Sequence, residues 1–459
     1  MNQQATNCIG KEAIKQDQIV YIEASQVEKC LEQLKEQGRI FEDQHFPPAK
    51  ASLVGAEKYP KSWLGIKWKR ISEMMPNAEI FVGKVVPNDI KQGMLGDCYF
   101  LAGLAALAER KDRIFNLFLA HEKNEQKHYS VKMMYRGKWQ TIDLDEYFPY
   151  CNNEPAFSRS VDQELWVMLL EKAWAKLYGS YRYIQAGFPE EALHDLTGAP
   201  INKISLKQRN FNPEETWNYL LWASKKEYAM VASSNPGSDS QKSVSGVVQG
   251  HAYTFLNAIH LNNDDHFERI VQLRNPWGKV EFKGKWSDGD YAWTNVAEYL
   301  KKEIGYEDNQ EDGIFFMSFE DFVKEFRTLT IAEINDNASY VYESQHDAAC
   351  EGVYFTIEVG ESGTYSFHID KTPERTYERD RCNKFRYPES KLEIRKVDER
   401  RVEYLGGTIS SQRTLYKSYD LKPGKYVALA KIAASDFEKD REVTLAVYSE
   451  FFCRIKCAS

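Results

Sequence analysis

Cys98 closes the stretch Gln92-Gly93-Met94-Leu95-Gly96-Asp97 and opens a run to Ala108 in which Leu101, Leu104, Ala105 and Ala108 recur at helical spacing. A thiol at the head of a helix faces unpaired backbone N–H groups and the positive end of the helix dipole, and both favour the thiolate. Gln92 lies on the loop that feeds this helix. Its amide, with the Cys98 N–H, can donate to an oxyanion formed beside the sulfur. Two distant segments hold the groups that such a thiol needs. Gly250-His251-Ala252-Tyr253 opens a strand, and Arg274-Asn275-Pro276-Trp277-Gly278 closes the next one. His251 can take the thiol proton, and the Asn275 amide can fix the orientation of the imidazole. Each residue taken singly has an ordinary role: an inert buried cysteine, a surface glutamine, a hydrogen-bonded structural histidine, a turn-forming asparagine before proline. Their joint presence makes coincidence a poor account.

The elements that must position these groups follow from pattern. The nearly apolar run from Cys98 predicts a helix buried within a domain. A second helix is predicted over about 161–178, with Leu165, Leu169, Ala173 and Leu177 on one stripe and Trp166, Leu170, Trp174 and Tyr178 on its neighbour. Ser160 with Gln163 offers its capping box, and Gly179 its stop. The two helices should pack together. A loop rich in Ser, Gly and Asn spans 234–248, and strands are expected at 251–258, 269–275 and 314–319. Ser318 and Asp321 can cap a short helix to about 326. From about 340 the apolar period shifts to two. Strands are expected at 352–359, 363–369, 391–397, 402–405, 413–418, 425–431 and 442–449, punctuated by Gly363, Gly406, Gly407 and Pro423-Gly424. Short strands with frequent turns favour a β-sandwich.

Composition bounds the setting. The chain has 459 residues, 42% hydrophobic and 28% charged, which suits an ordered protein of about three domains rather than a disordered chain. Its net charge of -8 gives no sign of nucleic acid as a partner. Eight cysteines with no C-x-x-C pair argue against a disulfide scaffold or compact zinc site, and point to a reducing, cytoplasmic compartment. No secretory signal pattern opens the chain, and the uncharged run Cys98 to Ala108 is too short to span a bilayer.

With these segments in view, the chain resembles the calpain family of papain-like cysteine proteases. QGMLGDCYFLAGLAAL matches the family's nucleophile motif, GHAYT its histidine motif and LRNPWG its asparagine motif. Similarity extends through GRIFEDQHFPP at 38–48, WKR at 68–70, LLEKAWAKLYGSY at 169–181, KWSDGD at 285–290 and EDGIFFMSFEDF at 311–322. The resemblance implies an α+β chain with a two-subdomain papain-like protease core followed by a C2-like β-sandwich, lacking the penta-EF-hand domain. Its implied divisions are a lead-in at 1–37, a nucleophile subdomain at 38–195, a His/Asn subdomain at 196–335 and the sandwich at 336–459. It assigns Cys98 as nucleophile, His251 as base and acid, Asn275 as orienter and Gln92 as oxyanion donor. Trp277 would shield the His–Asn bond. The family motif has tryptophan after the nucleophile, where this chain has Tyr99.

The resemblance also implies calcium, one ion per subdomain. Asp89 and Glu171, with carbonyls of Val82 and Lys84, match the first site. Glu281, Asp288, Asp312 and the Gln310 carbonyl match the second, where Ile314 replaces an expected glutamate. A hard cation prefers oxygen ligands, so the first site is expected to be the stronger. The implied function is calcium-dependent intracellular limited cleavage of protein substrates by a cysteine endopeptidase working through a thiol acyl-enzyme. Calcium-assisted membrane or protein contact through the sandwich is a further implied interaction. Two alternatives stand beside this reading: a thiol-dependent acyl transferase of transglutaminase type, and a catalytically silent scaffold that binds proteins or membranes.

Overall fold

The computed structural model of the protein describes residues 24–263, 266–308, 312–377, 385–398, 401–435 and 441–458. Most of the expected lead-in, and Gln310, lie outside the described residues. The helix Ala24–Glu36 precedes the first core.

That core forms around the helix Cys98–Ala108, whose residues from Tyr99 onward are all buried. An all-round apolar helix must be enclosed on every side. The helix Trp166–Leu177 stacks Trp174 on Phe100 with ring centres 4.8 Å apart. The helix Pro189–Thr197 approaches closely at Gly103, where a Cβ would sit 3.6 Å from Ala192 and Leu193. A hairpin, Tyr129–Tyr135 with Lys138–Leu144, completes the surround. Sequence reasoning passed over both elements, although Tyr129, Val131, Met133 and Tyr135 alternate before Arg136-Gly137, and Pro189 and Gly198 bracket the helix.

The helix expected from about 161 starts instead at Trp166. Ser160 is drawn into a short antiparallel pair with Ile90, and Gln163 takes a left-handed φ of 58°. The expected capping box therefore does not form.

A second core lies on a six-stranded antiparallel sheet. Its strand order is Ile314–Ser318, His266–Arg274, Ala252–Asn263, Ala229–Ser234, Phe326–Ala332 and Ile201–Ser205. The helix Pro213–Lys225 packs on it, capped by Asn212, whose side chain accepts from the Glu214 and Glu215 N–H groups. Ser318 caps Phe319–Glu325 as expected, accepting from Asp321 N–H.

The C-terminal region contains two sheets around one apolar cluster. One runs Ser339–His346, Glu442–Ser449, Gly363–Asp370, Thr414–Leu421; the other runs Arg401–Ser410, Ser390–Asp398, Gly424–Ile432, Val353–Val359, Cys453–Cys457. Phe367, Ile369 and Leu445 of the first meet Phe355, Ile357, Leu392 and Ala428 of the second in that core. Strand Val353–Val359 alternates buried and exposed at every residue, the pattern of a sheet with one wet face. Strands 339–346 and 453–457 were not foreseen. Among the described residues no helix is long and apolar enough to cross a membrane.

Candidate active site

The two cores meet at Cys98. The Thr254 hydroxyl donates to the Ala102 carbonyl at 3.0 Å, and Gln92 N–H to the Pro276 carbonyl at 3.3 Å. The Ala252 N–H, one residue beyond His251, donates toward the Cys98 sulfur, as does the Tyr99 N–H. Cys98 thus heads its helix from one core and is touched by the histidine strand of the other.

His251 is fixed from both sides. Its N–H donates to Ser234 Oγ at 3.0 Å. The turn before it needs glycine: Gly250 has φ 59°, and a Cβ there would fall 2.3 Å from the Gly237 carbonyl oxygen. The His251 ring packs 4.6 Å from Trp277, centre to centre. Its Nε2 lies 2.9 Å from Asn275 Oδ1.

The asparagine's orientation is decided by its other atoms. Asn275 Nδ2 donates to the carbonyls of Lys279 and Val280, both at 2.9 Å. The amide nitrogen must face those acceptors, so Oδ1 faces the imidazole. Nε2 therefore carries the hydrogen, and Nδ1 is left with the lone pair for the thiol proton. Trp277 lies against the His251 ring, where its indole limits the access of water to that bond.

Burial drives the thiol and imidazole apart in proton affinity. It pushes Cys98 up to about 12, against smaller opposing donation from Ala252 N–H. It pulls His251 down to about 4, against the opposing bond to Asn275. Both shifts favour the neutral forms, thiol and imidazole, over the charged pair. Gln92 Nε2 donates to the Leu95 carbonyl at 2.7 Å, within the loop that precedes Cys98. An amide nitrogen has a second hydrogen, which can serve an oxyanion.

Glu171, matched to Asp89 in the sequence, has other partners here. It is enclosed on the helix Trp166–Leu177 and accepts from Ser158 N–H at 2.9 Å. Its other neighbour is Asp97, also fully buried, directly before the nucleophile. Two neighbouring buried carboxyls disfavour double ionisation. Burial pushes Asp97 up to about 7 and holds Glu171 well above its ordinary range.

A raised carboxyl pKa stabilises the fold below the unfolded value of 3.8, and that contribution is lost as pH rises through about 7. The Asp97 side chain makes no capping bond, so Asp97→Asn removes none and can donate to Glu171 without ionising. It is expected to stabilise the protein by about 2 kcal/mol at pH 8 and by clearly less at pH 5. Urea unfolding at the two pH values checks this; an equal effect at both would refute it.

The groups near Asp89 are Glu164 and Asp162, which sequence reasoning missed. Glu164 Oε1 accepts from Val82 N–H at 2.6 Å, and Asp89 Oδ2 accepts from Val86 N–H at 2.8 Å. Burial first, then the charges of Glu164 and Asp162, push Asp89 up to about 6. The available signal was the acidic pair flanking Gln163, just before the apolar stripes begin.

In the second core Glu281, Asp288 and Asp312 do come together. Burial, then Glu281, Asp312 and Asp308, push Asp288 up to about 7. Glu281 accepts from Gly313 N–H, and Asp312 from Ile314 N–H and Asn88 Nδ2. Among the described residues no three His, Cys, Asp or Glu side chains form a closed metal-binding group. Both clusters are nevertheless oxygen-only donor sets under like-charge strain, which suits a hard dication.

Arg274 is a further residue that sequence reasoning passed over, although it sits in the asparagine motif. Its guanidinium is buried and crosses between the cores, with Nε donating to Asn88 Oδ1 and Nη2 to the Ile90 carbonyl, both at 2.9 Å. It ties the strand end bearing Asn275 to the loop leading to Gln92.

The family description "calpain family cysteine protease" matches residues 41–333. A calpain-type cysteine protease ADL1 from Oryza sativa subsp. japonica is 36% identical over 312 residues, 64% of this chain and 14% of that protein. The calpain-1 catalytic subunit of Bos taurus is 33% identical over 313 residues, 66% of this chain and 43% of that protein. The Mus musculus counterpart is 33% identical over 321 residues, 68% and 44% respectively. The chain thus spans less than half the length of these curated relatives.

Proposed function

The chain belongs to the calpain family of cysteine proteases, and from this membership we propose that it is a calpain-type endopeptidase with Cys98 as nucleophile and His251 as acid–base group. One observation carries the assignment. The Asn275 amide is held so that His251 must present Nδ1 as an acceptor, at the strand end that touches the Cys98 sulfur.

In the proposed reaction Nδ1 of His251 takes the thiol proton as Sγ attacks the substrate carbonyl carbon. The oxyanion rests against the Cys98 N–H and the Gln92 amide. His251 then protonates the departing amine as the C–N bond breaks, leaving a thioester. Water attacks that thioester with His251 as base, the C–S bond breaks, and the thiol is restored. Burial favours the neutral forms of both groups, so in this proposal the thiolate forms as the proton passes to His251. Asn275 as orienter, rather than aspartate, supports hydrolysis over the transglutaminase-type alternative.

The same reading makes residues 38–195 and 196–335 the two halves of a papain-like core and 336–459 a C2-like sandwich. The separate apolar clusters and the facing sheets support it. The substrates are proteins, and the sandwich is a candidate for calcium-assisted contact with membranes or partners. Cys98, Cys151, Cys350, Cys453 and Cys457 are free, which supports a reducing, cytoplasmic setting.

Calcium would be held in the first half by Asp89 and Glu164 with carbonyls of Val82 and Lys84, and in the second by Glu281, Asp288 and Asp312. It would supply positive charge that relieves the crowded carboxylates and draws their loops together. Ile314 offers no side-chain oxygen, and Asp312 is already engaged by two donors. The first site is therefore the stronger in this proposal. Casein cleavage with and without calcium tests the function, with Cys98→Ala as control. Asp89→Ala is expected to weaken calcium stimulation more than Asp312→Ala. Calorimetry on Cys98→Ala protein counts the sites without self-cleavage, and two equally tight sites would overturn the asymmetry.

A further inference from the structure

The C-terminal region reaches back to the residue next to the nucleophile. Arg375 lies in the turn Glu374–Thr376, between the strands Gly363–Asp370 and Ser390–Asp398. Its side chain leaves that region and enters the first core, where it is 11% exposed. Nη1 donates to the carbonyls of Tyr183 at 3.0 Å and Ala186 at 3.3 Å. Nη2 pairs with Glu191 on the helix Pro189–Thr197. The guanidinium carbon lies 5.4 Å from the Tyr99 ring centre and 5.2 Å from that of Tyr178, within cation–π range of both.

Tyr99 follows Cys98 and stands where the family motif has tryptophan. Its hydroxyl donates to the Ile184 carbonyl at 2.9 Å and accepts from the Trp174 indole N–H at 3.2 Å. The segment Tyr183–Gly187 also holds the turn before the nucleophile, because Ala186 N–H donates to the Gly96 carbonyl at 2.8 Å. Ala186 has φ 62°, a left-handed conformation that a non-glycine residue keeps only where its surroundings impose it. The packing leaves no slack: a Cβ on Gly187 would fall 2.4 Å from Arg375 Nη2 and 2.6 Å from Tyr99 Cζ.

We propose that Arg375 is a positioning residue for Cys98, clamping the strained 183–187 segment and Tyr99 so that docking of the C-terminal region sets the geometry of the nucleophile turn. Without the guanidinium, the Tyr183 and Ala186 carbonyls lose their donor and Ala186 is free to relax. Gly96 then loses its N–H partner, and the turn that aims the Cys98 sulfur and its oxyanion-binding N–H loosens. A misplacement of about 1 Å at a reacting group can cost about a hundredfold in rate. The turnover arm of the test rests on the protease reading; the thiol arm does not.

The test uses the full chain with Arg375→Gln, Arg375→Lys, Tyr99→Phe and, as control, Arg413→Gln. Arg413 comes from the same region and pairs with Asp195 on the same helix at 2.6 Å, away from the carbonyls of Tyr183 and Ala186 that Arg375 holds. Casein kcat and KM are measured with the rate of Cys98 alkylation by iodoacetamide at pH 7.5, located by mass spectrometry. Arg375→Gln is expected to lower kcat about 10–100-fold with KM changed by less than about threefold. Its Cys98 should be alkylated at least about threefold faster, since the loosened turn further exposes a half-buried thiol. Arg375→Lys keeps the ion pair with Glu191 and recovers part of both effects, and Tyr99→Phe shows the same two movements at smaller size. Arg413→Gln should lower the melting temperature and leave kcat and alkylation at parent values. Parent-like kcat and alkylation in Arg375→Gln would overturn the proposal. Equal losses in Arg413→Gln would also overturn it, by showing that any undocking suffices. If Arg375→Gln does not fold, unchanged alkylation in both Arg375→Lys and Tyr99→Phe decides against it. If the parent does not cleave casein, the protease reading fails while the alkylation comparison still stands.

Discussion

Cys98→Ala is expected to abolish peptide-bond cleavage, by about 10⁴-fold or more, without unfolding the protein. The sulfur is the proposed bond-forming atom, and no neighbouring side chain can replace it. The nearest carboxyls, Asp97 and Glu171, are buried, and Glu171 is engaged by the Ser158 N–H. Structurally the change is small. The side chain loses one sulfur at the first residue of a helix whose other ten residues are buried. Alanine is also a good helix former, so the helix itself is not weakened. The measurement pairs casein turnover with the unfolding transition of the same sample. Normal turnover by folded Cys98→Ala protein would remove the nucleophile assignment.

The second large effect belongs to the histidine and is read best against pH. His251→Ala removes both the acceptor of the thiol proton and the donor to the leaving amine, so a loss of about 10³-fold or more is expected. Asn275→Ala keeps the acid–base group but frees its tautomer and rotation, so activity should fall about 10–100-fold and remain measurable. Burial holds His251 down to about 4 in the folded protein, and only the neutral ring accepts a proton. In the parent, kcat/KM should therefore rise as pH climbs through about 4 and level off well below neutrality. The linked stability has a matching sign. The histidine's contribution is fully present above its unfolded value of 6.5 and is lost as pH falls through about 4. His251→Ala should flatten that part of the acid-unfolding curve. An acid limb near neutrality, or unchanged acid sensitivity in His251→Ala, would refute the buried neutral imidazole.

In the proposed scheme calcium and the C-terminal clamp would both act on how these groups are brought together. Arg274 links the loop at Asn88 and Ile90 to the strand end at Asn275, and Asn88 in turn bonds Asp312. The acidic loops of the two cores are thus joined through one buried cation and one amide. In that scheme, movement of either loop would reach the proposed orienter, Asn275.

The chemistry was legible in sequence because it rests on residue type in short segments. A cysteine behind a glycine-bearing turn and ahead of an apolar run declares a helix terminus. GHAYT and LRNPWG place His251 and Asn275 at strand ends, and those ends formed beside them, although the first strand runs on to Asn263 and the second begins at His266. Period-two alternation likewise exposed most strands of the C-terminal region, since one wet face per sheet writes itself into the chain. Strands 339–346 and 453–457 escaped: the burial of 339–346 follows no alternation, and 453–457 is only five residues long. The helix start at Trp166 and the partners of Glu171 and Glu164 lay beyond pattern altogether. A carboxylate seven residues from another on the same segment can face a different side of the molecule, and only the packing of helix against loop decides which. Glu171 turned inward to Asp97, while Glu164 turned to Val82 beside Asp89. The same holds for Arg375, separated from Tyr99 by 276 positions of chain. Local propensity carries no information across that span. The cation reached Tyr99 and the 183–187 segment because a buried guanidinium needs a carboxylate and carbonyl acceptors, and the docked fold offers them there.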